Sequence, residues 1–174
     1  ISLDIFEASS LLLNEKDEIY VNSLRDFTLK DFTEFKKQLK EEIESITNQL
    51  ISIGNEFLQK LNDEGLEFND FSRSSIPKHF EKLSKDDPKI AFGSNWQLNI
   101  EDEETYVTKK QTEDKKQLVF SMKDFIVEKF KLSEKLFSDR KFLEKIYRNI
   151  SQLSLLGAVS KEMELIKKEE NIML

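Results

Sequence analysis

The chain has 174 residues, of which 35% are charged and 38% hydrophobic, with four glycines, two prolines and no cysteine. Few turn formers and many Glu, Lys and Leu residues favour long helices over a many-stranded sheet. The formal net charge of −7 disfavours a dedicated nucleic-acid-binding protein, which usually has a basic domain or stripe. The absence of cysteine excludes disulfides and thiolate chemistry and is compatible with a reducing compartment.

The amino-terminal segment predicts neither a membrane anchor nor a secretion signal. The sequence has no run of about 20 apolar residues, and its start, Ile1-Ser2-Leu3-Asp4, lacks both a Met and a basic segment followed by an apolar one. We therefore expect a piece of a longer chain. Apolar and acidic clusters alternate over residues 1–30, which we predict to be a lead-in linker with one or two short helices and room for an amphipathic helix.

The clearest signal is an apolar stripe that predicts a long helix from Asp31 to Leu66. Apolar residues recur at steps of three and four, as on one face of an α-helix. They are Phe32, Phe35, Leu39, Ile43, Ile46, Leu50, Ile53, Phe57 and Leu61. Asp31 is predicted to be the N-cap, with Glu34 at the capping-box position, and Gly65 marks an end or a bend. A stripe this long and narrow is typical of a coiled coil.

The middle of the chain, from residue 67 to about 103, interrupts this pattern at Pro77, Pro88 and Gly93. A helical continuation is still compatible with Phe68, Phe71, Ile76, Phe80 and Leu83. The acidic run from Glu101 to Glu104 suits the first turn of a second long helix, because negative charge there meets the helix dipole.

The second long helix is predicted to continue to about Glu170. One apolar row on it comprises Leu118, Met122, Phe125, Leu132, Leu136, Leu143, Ile146, Ile150 and Leu153. A second row, with Phe130, Phe137 and Tyr147, widens the apolar face. We therefore expect this helix to pack against more than one other helix.

The single histidine, His79, is the only candidate base for catalysis. With Arg73 it forms an Arg-x5-His spacing similar to that of helical RNases of the HEPN type, in which a paired Arg and His would cleave RNA at a dimer interface. Pro77 lies between the two residues and disturbs the helical turn that would present them together, so a polar loop before a helix is the favoured interpretation. Trp96 could be a recognition aromatic, but a loop anchor on the core is favoured.

The sequence offers no grouping of metal ligands and no phosphate-binding glycine motif. We predict that the chain is not an enzyme, that it has no catalytic residue and no metal site, and that it needs no cofactor.

Three basic groupings could meet an anionic lipid surface. They are Lys36, Lys37 and Lys40; Lys109 and Lys110 with Lys115 and Lys116; and Lys161 with Lys167 and Lys168. On one curved surface each lysine would contribute about 1 kcal/mol near the membrane. For any one grouping, a solvated helix face balanced by nearby Glu and Asp is the favoured interpretation.

An ordered set of landmarks over residues 32–170 resembles the BAR region of sorting nexins that carry a PX domain followed by a BAR domain. Phe32-Thr33-Glu34-Phe35-Lys36-Lys37 stands for the opening of the first BAR helix, and the segment from Lys60-Leu61 to Phe71 for its close. On the second helix, Asp124-Phe125-Ile126 is followed by Phe137-Ser138-Asp139-Arg140. Pro77, Pro88 and the Gly93 region depart from the more regular helix pair of that family.

The resemblance implies an all-α fold of long antiparallel coiled-coil helices. Residues 31–174 would be a partial BAR domain with helices one and two, and the third helix would lie outside this chain. Lipid binding is then expected at Lys36, Lys37, Lys40, Lys161, Lys167 and Lys168. Packing in the core or dimer interface is expected at Phe32, Phe35, Leu39, Phe125, Leu136, Phe137 and Leu143.

The same resemblance implies a membrane-curvature-sensing or remodelling subunit that acts in protein transport and cargo retrieval. Its partners would be another BAR subunit, in a homodimer or heterodimer, an anionic membrane surface, and cargo or coat proteins; nucleic acid is not expected. Its place would be in the cytoplasm, peripheral on endosomal membranes. The alternative is a helical scaffold or tethering subunit without direct membrane contact.

Overall fold

The computed structural model of the chain describes residues 27–108 and 111–170, so most of the predicted lead-in linker lies outside the described residues. The helices are α1 (Leu29–Asp63), α2 (Ser75–Ser84), α3 (Asn95–Leu98), α4 (Glu113–Ser121) and α5 (Lys123–Glu170). Short 3-10 turns occupy Phe68–Asp70, Ser72–Ser74 and Glu103–Thr105. No strand occurs among the described residues, which confirms the predicted all-α class.

The chain divides into two compact units, each of which includes parts of α1 and α5. The terminal unit comprises residues 1–43 and 142–174, and the central unit comprises residues 44–141. The sequence predicted a single partial domain from residue 31 onward and gave no sign of this division, because both long helices continue through it.

A capping box starts α1, one turn earlier than predicted. The Asp31 carboxylate accepts hydrogen bonds from the backbone N–H and the hydroxyl of Thr28, both at 2.7 Å. In return, the backbone N–H of Asp31 donates to the Thr28 hydroxyl oxygen at 3.3 Å. Thr28 is therefore the cap and Asp31 is its partner three residues later. The prediction of Asp31 as the N-cap was wrong, since the threonine supplies the capping oxygen.

A left-handed glycine ends α1. Gly65 has φ of 64°, and the two bonds that close the helix are Gly65 N–H to the Asn62 carbonyl and Leu66 N–H to the Leu61 carbonyl, both at 3.0 Å. This is the Schellman pattern, in which a glycine is the easiest residue to place. Gly65 thus marks the end of the helix, one of the two outcomes that the sequence allowed.

Pro77 does not break the helix that follows, because it lies in the first turn of α2. The first backbone N–H groups of a helix have no partner within it, so a proline there costs no helical hydrogen bond. Ile76, Phe80 and Leu83 are buried on one face of α2, which confirms the predicted helical continuation for these three residues. Phe68 lies in a 3-10 turn and Phe71 is extended, so the helix does not include them.

The core of the central unit is aromatic and forms where α1 and α2 cross. Phe57 stacks on Phe80 with ring centroids 4.1 Å apart and an angle of 14° between the planes. Phe71 meets Phe57 edge-on at 6.3 Å. All three side chains are at most 2% exposed, so this cluster contributes much of the apolar burial that stabilises the unit.

Gly54 allows the two helices to cross at this short distance. A Cβ atom on residue 54 would lie 2.6 Å from the carbonyl oxygen of Phe80 and 2.8 Å from the Cα atom of Ser84. Both neighbours are backbone atoms, which cannot swing aside as the end of a flexible side chain could. A glycine at position 54 therefore lets the backbones of α1 and α2 come this close.

Gly54→Ala is therefore expected to lower the free energy of unfolding by about 2 kcal/mol, although alanine is the better helix former. Urea unfolding followed by circular dichroism measures the effect. Asn55→Ala is the matched control, because the neighbouring side chain is exposed on the same helix and its loss should leave stability nearly unchanged. A Gly54→Ala chain as stable as the control would contradict the close approach.

The second long helix is shorter at its beginning than the sequence predicted. The acidic run Glu101 to Glu104 precedes and enters a 3-10 turn, not an α-helix, and α4 begins only at Glu113. Tyr106 is fully buried in this stretch, and its hydroxyl donates to the carbonyl oxygen of Ile100 at 2.6 Å. This anchoring of the chain at Tyr106 excludes a continuous helix through the segment.

Candidate interaction surface

The paired helices of the terminal unit pack through a small apolar cluster. Phe32 and Leu39 of α1 and Ile150 of α5 are buried, and four half-buried residues pack against them: Leu143, Ile146, Tyr147 and Leu153. Three of the predicted packing residues, Phe32, Leu39 and Leu143, are therefore brought together here.

Phe35 and Lys36 exchange their predicted places around α1. Phe35 is 44% exposed, whereas Lys36 is half-buried. The Lys36 ammonium lies 5.2 Å from the centre of the Tyr147 ring and donates to the Ser151 hydroxyl at 3.2 Å. The buried face runs from Phe32 to Leu39 through position 36, four residues after Phe32. The long aliphatic stem of a lysine can cover apolar surface there while its ammonium group contacts the tyrosine ring and the serine hydroxyl.

The other predicted lysines lie at the surface wherever the structure describes their side chains. Lys37 is exposed and lies 3.9 Å from the Glu41 carboxylate, and Lys40 and Lys161 are exposed. The side chains of Lys167 and Lys168 lie outside the described residues. Residues 29–44 of α1 carry five carboxylates and four lysines, so this stretch is not basic as a whole.

An apolar groove of about 440 Å³ opens on the terminal unit. Its apolar lining is Phe27, Phe32, Phe35, Ile150 and Leu153, and its polar lining is Asp31, Glu34 and Gln38. Phe27 is 56% exposed and Phe35 44% exposed, while Phe32 is only 9% exposed. Two phenylalanines thus stand at the solvent edge and a third forms the floor.

The polar side of this groove is acidic. Asp31, Glu34 and Gln38 follow each other at steps of three and four, so they share one face of α1. Hydrogen bonds from Thr28, first from its side chain and then from its backbone, lower the pKa of Asp31. This carboxylate therefore stays charged at neutral pH, and the groove combines an apolar floor with negative charge at one edge.

Three predicted packing residues lie in the central unit and are only half-buried. They are Phe125, Leu136 and Phe137. The ring of Phe137 contacts that of Phe92 at 4.9 Å, and Lys129 lies 5.7 Å from the centre of the Phe125 ring. The buried residues of α5 in this unit are instead Ile126, Phe130, Ser133 and Arg140, and the buried Met122 directly precedes the helix.

Two polar residues on that buried face were missed by the sequence analysis. Arg140 is 7% exposed, and its guanidinium donates to the Asp86 carboxylate at 2.6 Å and contacts the Thr47 hydroxyl at 3.4 Å. Ser133 is fully buried and donates to the carbonyl oxygen of Phe130 at 2.8 Å. Ser133 lies seven residues after Ile126 and Arg140 fourteen, a spacing that places both on the helix face of Ile126 and was the available signal.

His79 lies in the aromatic core of the central unit and is 6% exposed. Its Nδ1 atom accepts from the Gln97 side-chain amide at 3.2 Å, and four rings surround it: Phe80, Phe92, Trp96 and Phe130. Burial, with a smaller effect of Lys82, lowers the pKa of His79 to about 4. The histidine is therefore neutral near pH 7 and packs as a core residue.

Arg73 and His79 have different surroundings in the central unit. Arg73 is exposed, has φ of 55° and lines a cleft of about 990 Å³ beside Trp96 and the acidic stretch Glu101 to Glu104. His79 is not among the residues that line this cleft. Trp96 is half-buried and contacts Phe130 at 5.6 Å, as expected for a loop anchor on the core.

No group of three or more potential metal ligands occurs within residues 27–108 and 111–170. Over the same part of the chain, no helix is both long and apolar enough to span a membrane. Comparison of the chain with protein-family models, with curated proteins and with solved structures finds no match.

Proposed function

We propose that the chain is a helical protein-binding module, a scaffold or tether, that engages a partner through the groove of its terminal unit. The observation that carries this proposal is the exposure of Phe27 and Phe35 above the buried Phe32. Exposed aromatic side chains beside an apolar pocket are typical of interaction sites, because their burial on binding is favourable.

A second candidate is the membrane role that the sorting-nexin resemblance implies. It is supported by the exposed lysines of the terminal unit, Lys37, Lys40 and Lys161, and by the length of the helices that carry them. Against it stand the carboxylates that alternate with these lysines on α1, since each would be repelled by an anionic lipid surface. The two candidates differ in what the terminal unit binds.

Site-specific photo-crosslinking tests the first candidate. A photoreactive residue at position 35 of the whole chain, expressed in the cells from which it comes, is expected to give discrete protein adducts. Position 142 is the matched control, because Phe142 is also an exposed phenylalanine of the terminal unit but does not line the groove. The partner identified in this way should bind the purified chain, and Phe35→Ser should abolish that binding. Adducts from position 142 alone would contradict the proposal.

Liposome co-sedimentation separates the second candidate from the first. Under the scaffold proposal, we expect the chain to stay in the supernatant with vesicles of phosphatidylserine and phosphoinositide at low salt. If it sediments instead, Lys37→Glu combined with Lys161→Glu should reduce the bound fraction. The same charge change at two exposed lysines of the central unit, Lys78 and Lys89, is the control. Binding that depends on Lys37 and Lys161 would favour the membrane role.

A further inference from the structure

We infer that the groove of the terminal unit receives one cationic amphipathic helix of a partner protein. This inference rests on the proposed protein-binding function and adds the chemistry of the partner. The groove is lined by apolar residues of both α1 and α5. A helix laid into such a groove presents apolar side chains at steps of three, four and seven residues.

Charge around the groove decides the class of that helix. The charged residues that line it are both acidic, Asp31 and Glu34. The lysine on the buried face of α1, Lys36, is directed to Tyr147 and Ser151 and does not line the groove. A partner helix with Lys or Arg flanking its apolar stripe would therefore find opposite charge at the α1 edge, whereas an acidic helix would be repelled.

The same charges argue against two other occupants. Carboxylates at the edge repel the headgroups of an anionic membrane. A second copy of this chain brings the same net charge of −7, so two copies repel each other at long range. A cationic helix from a different protein meets neither obstacle.

Two synthetic peptides provide the test. Each has about 18 residues, or five helical turns, with the same leucine stripe; one carries lysine on its polar face and the other glutamate. Fluorescence anisotropy measures their binding to the full chain. We expect the Leu/Lys peptide to bind at least about tenfold more tightly than the Leu/Glu peptide, and added salt to narrow the difference because the charges are exposed.

Matched variants show whether binding occurs in the groove. Phe35→Ser and Glu34→Lys should each lower the affinity for the Leu/Lys peptide by about fivefold or more. Phe142→Ser and Glu42→Lys change the same residue types at exposed positions outside the groove and should change the affinity little. Because all four side chains are exposed, helicity should be preserved, and circular dichroism checks this.

Each remaining outcome overturns the inference. Equal affinity for the two peptides would show that charge does not select the partner, and equal losses in the variants and their controls would show that the groove is not the site. Absence of binding to both peptides would also overturn it. Self-association of the chain that Phe35→Ser abolishes, measured by sedimentation velocity, would assign the groove to a second copy.

Failure of this inference is distinct from failure of the proposed function. A partner that cross-links at position 35 but binds without a basic helix would overturn the inference and leave the protein-binding function standing. Groove-specific binding of the Leu/Lys peptide without any cellular partner at position 35 would leave the charge preference of the groove standing and overturn the protein-binding function.

Discussion

Replacing Phe57 with alanine is expected to lower the free energy of unfolding by about 3–5 kcal/mol, the largest effect of any substitution considered for this chain. Phe57 has no exposed surface, stacks on Phe80 and meets the edge of Phe71. Its removal leaves a cavity between α1 and the elements that follow it, and the close crossing at Gly54 limits how far the helices can collapse into that space. Urea unfolding followed by circular dichroism measures the loss.

Phe142→Ala is the control for this substitution. Phe142 is 65% exposed, so the same change of residue removes little buried surface and should cost well under 1 kcal/mol. Similar losses in the two variants would mean that the stacked cluster contributes no more than a surface phenylalanine, and the described core would then be wrong.

The second large effect is a loss of stability in mild acid that originates at His79. Burial lowers the pKa of this histidine from an ordinary 6.5 to about 4 in the folded chain. Between these two values the unfolded chain binds a proton that the folded chain does not, so stability falls as the pH falls. Above about pH 6.5 the ring is neutral in both states, so the pH does not change the stability. By pH 4 the free energy of unfolding has fallen by about 3 kcal/mol, at 1.36 kcal/mol per pH unit.

His79 is the only histidine in the chain, so its imidazole proton signal in an NMR titration needs no assignment by mutation. We expect that signal to keep the shift of a neutral ring down to about pH 4, while the free energy of unfolding declines from about pH 6.5. Titration near 6.5 with flat stability over the same range would show that the ring is in contact with water, contrary to its place among four aromatic side chains.

The length of α1 was largely predictable, and its rotation was not. The steps of three and four from Phe32 to Leu61 identified α1 to within a few residues at each end. Hydrophobicity favoured Phe35 over Lys36 for the buried face, whereas the structure places the lysine stem there, with its ammonium group 5.2 Å from the centre of the Tyr147 ring. Phe35 instead lies at the surface, where it lines the groove.

The N-cap of α1 was also not identified correctly from the sequence. Thr28 precedes Asp31 by three residues, and the pair forms a reciprocal capping box; an aspartate is itself a good N-cap, so the sequence alone favoured the wrong member of the pair. In the central unit, the burial of Arg140 was not predicted, because its partner Asp86 lies 54 residues away in sequence. Of these contacts, Arg140–Asp86 alone joins residues far apart in sequence, whereas the Thr28–Asp31 and Ser133–Phe130 hydrogen bonds are local.

Trp96, the single tryptophan of the chain, belongs to the central unit, and its ring lies 5.4 Å from that of His79. Its emission is therefore an optical signal of one unit alone, whereas circular dichroism senses the helices of both. In a urea titration, coincident fluorescence and dichroism curves would mean that the two units unfold in one cooperative step. An emission change that precedes or follows the dichroism change would instead reveal a partly folded species in which only one unit is intact.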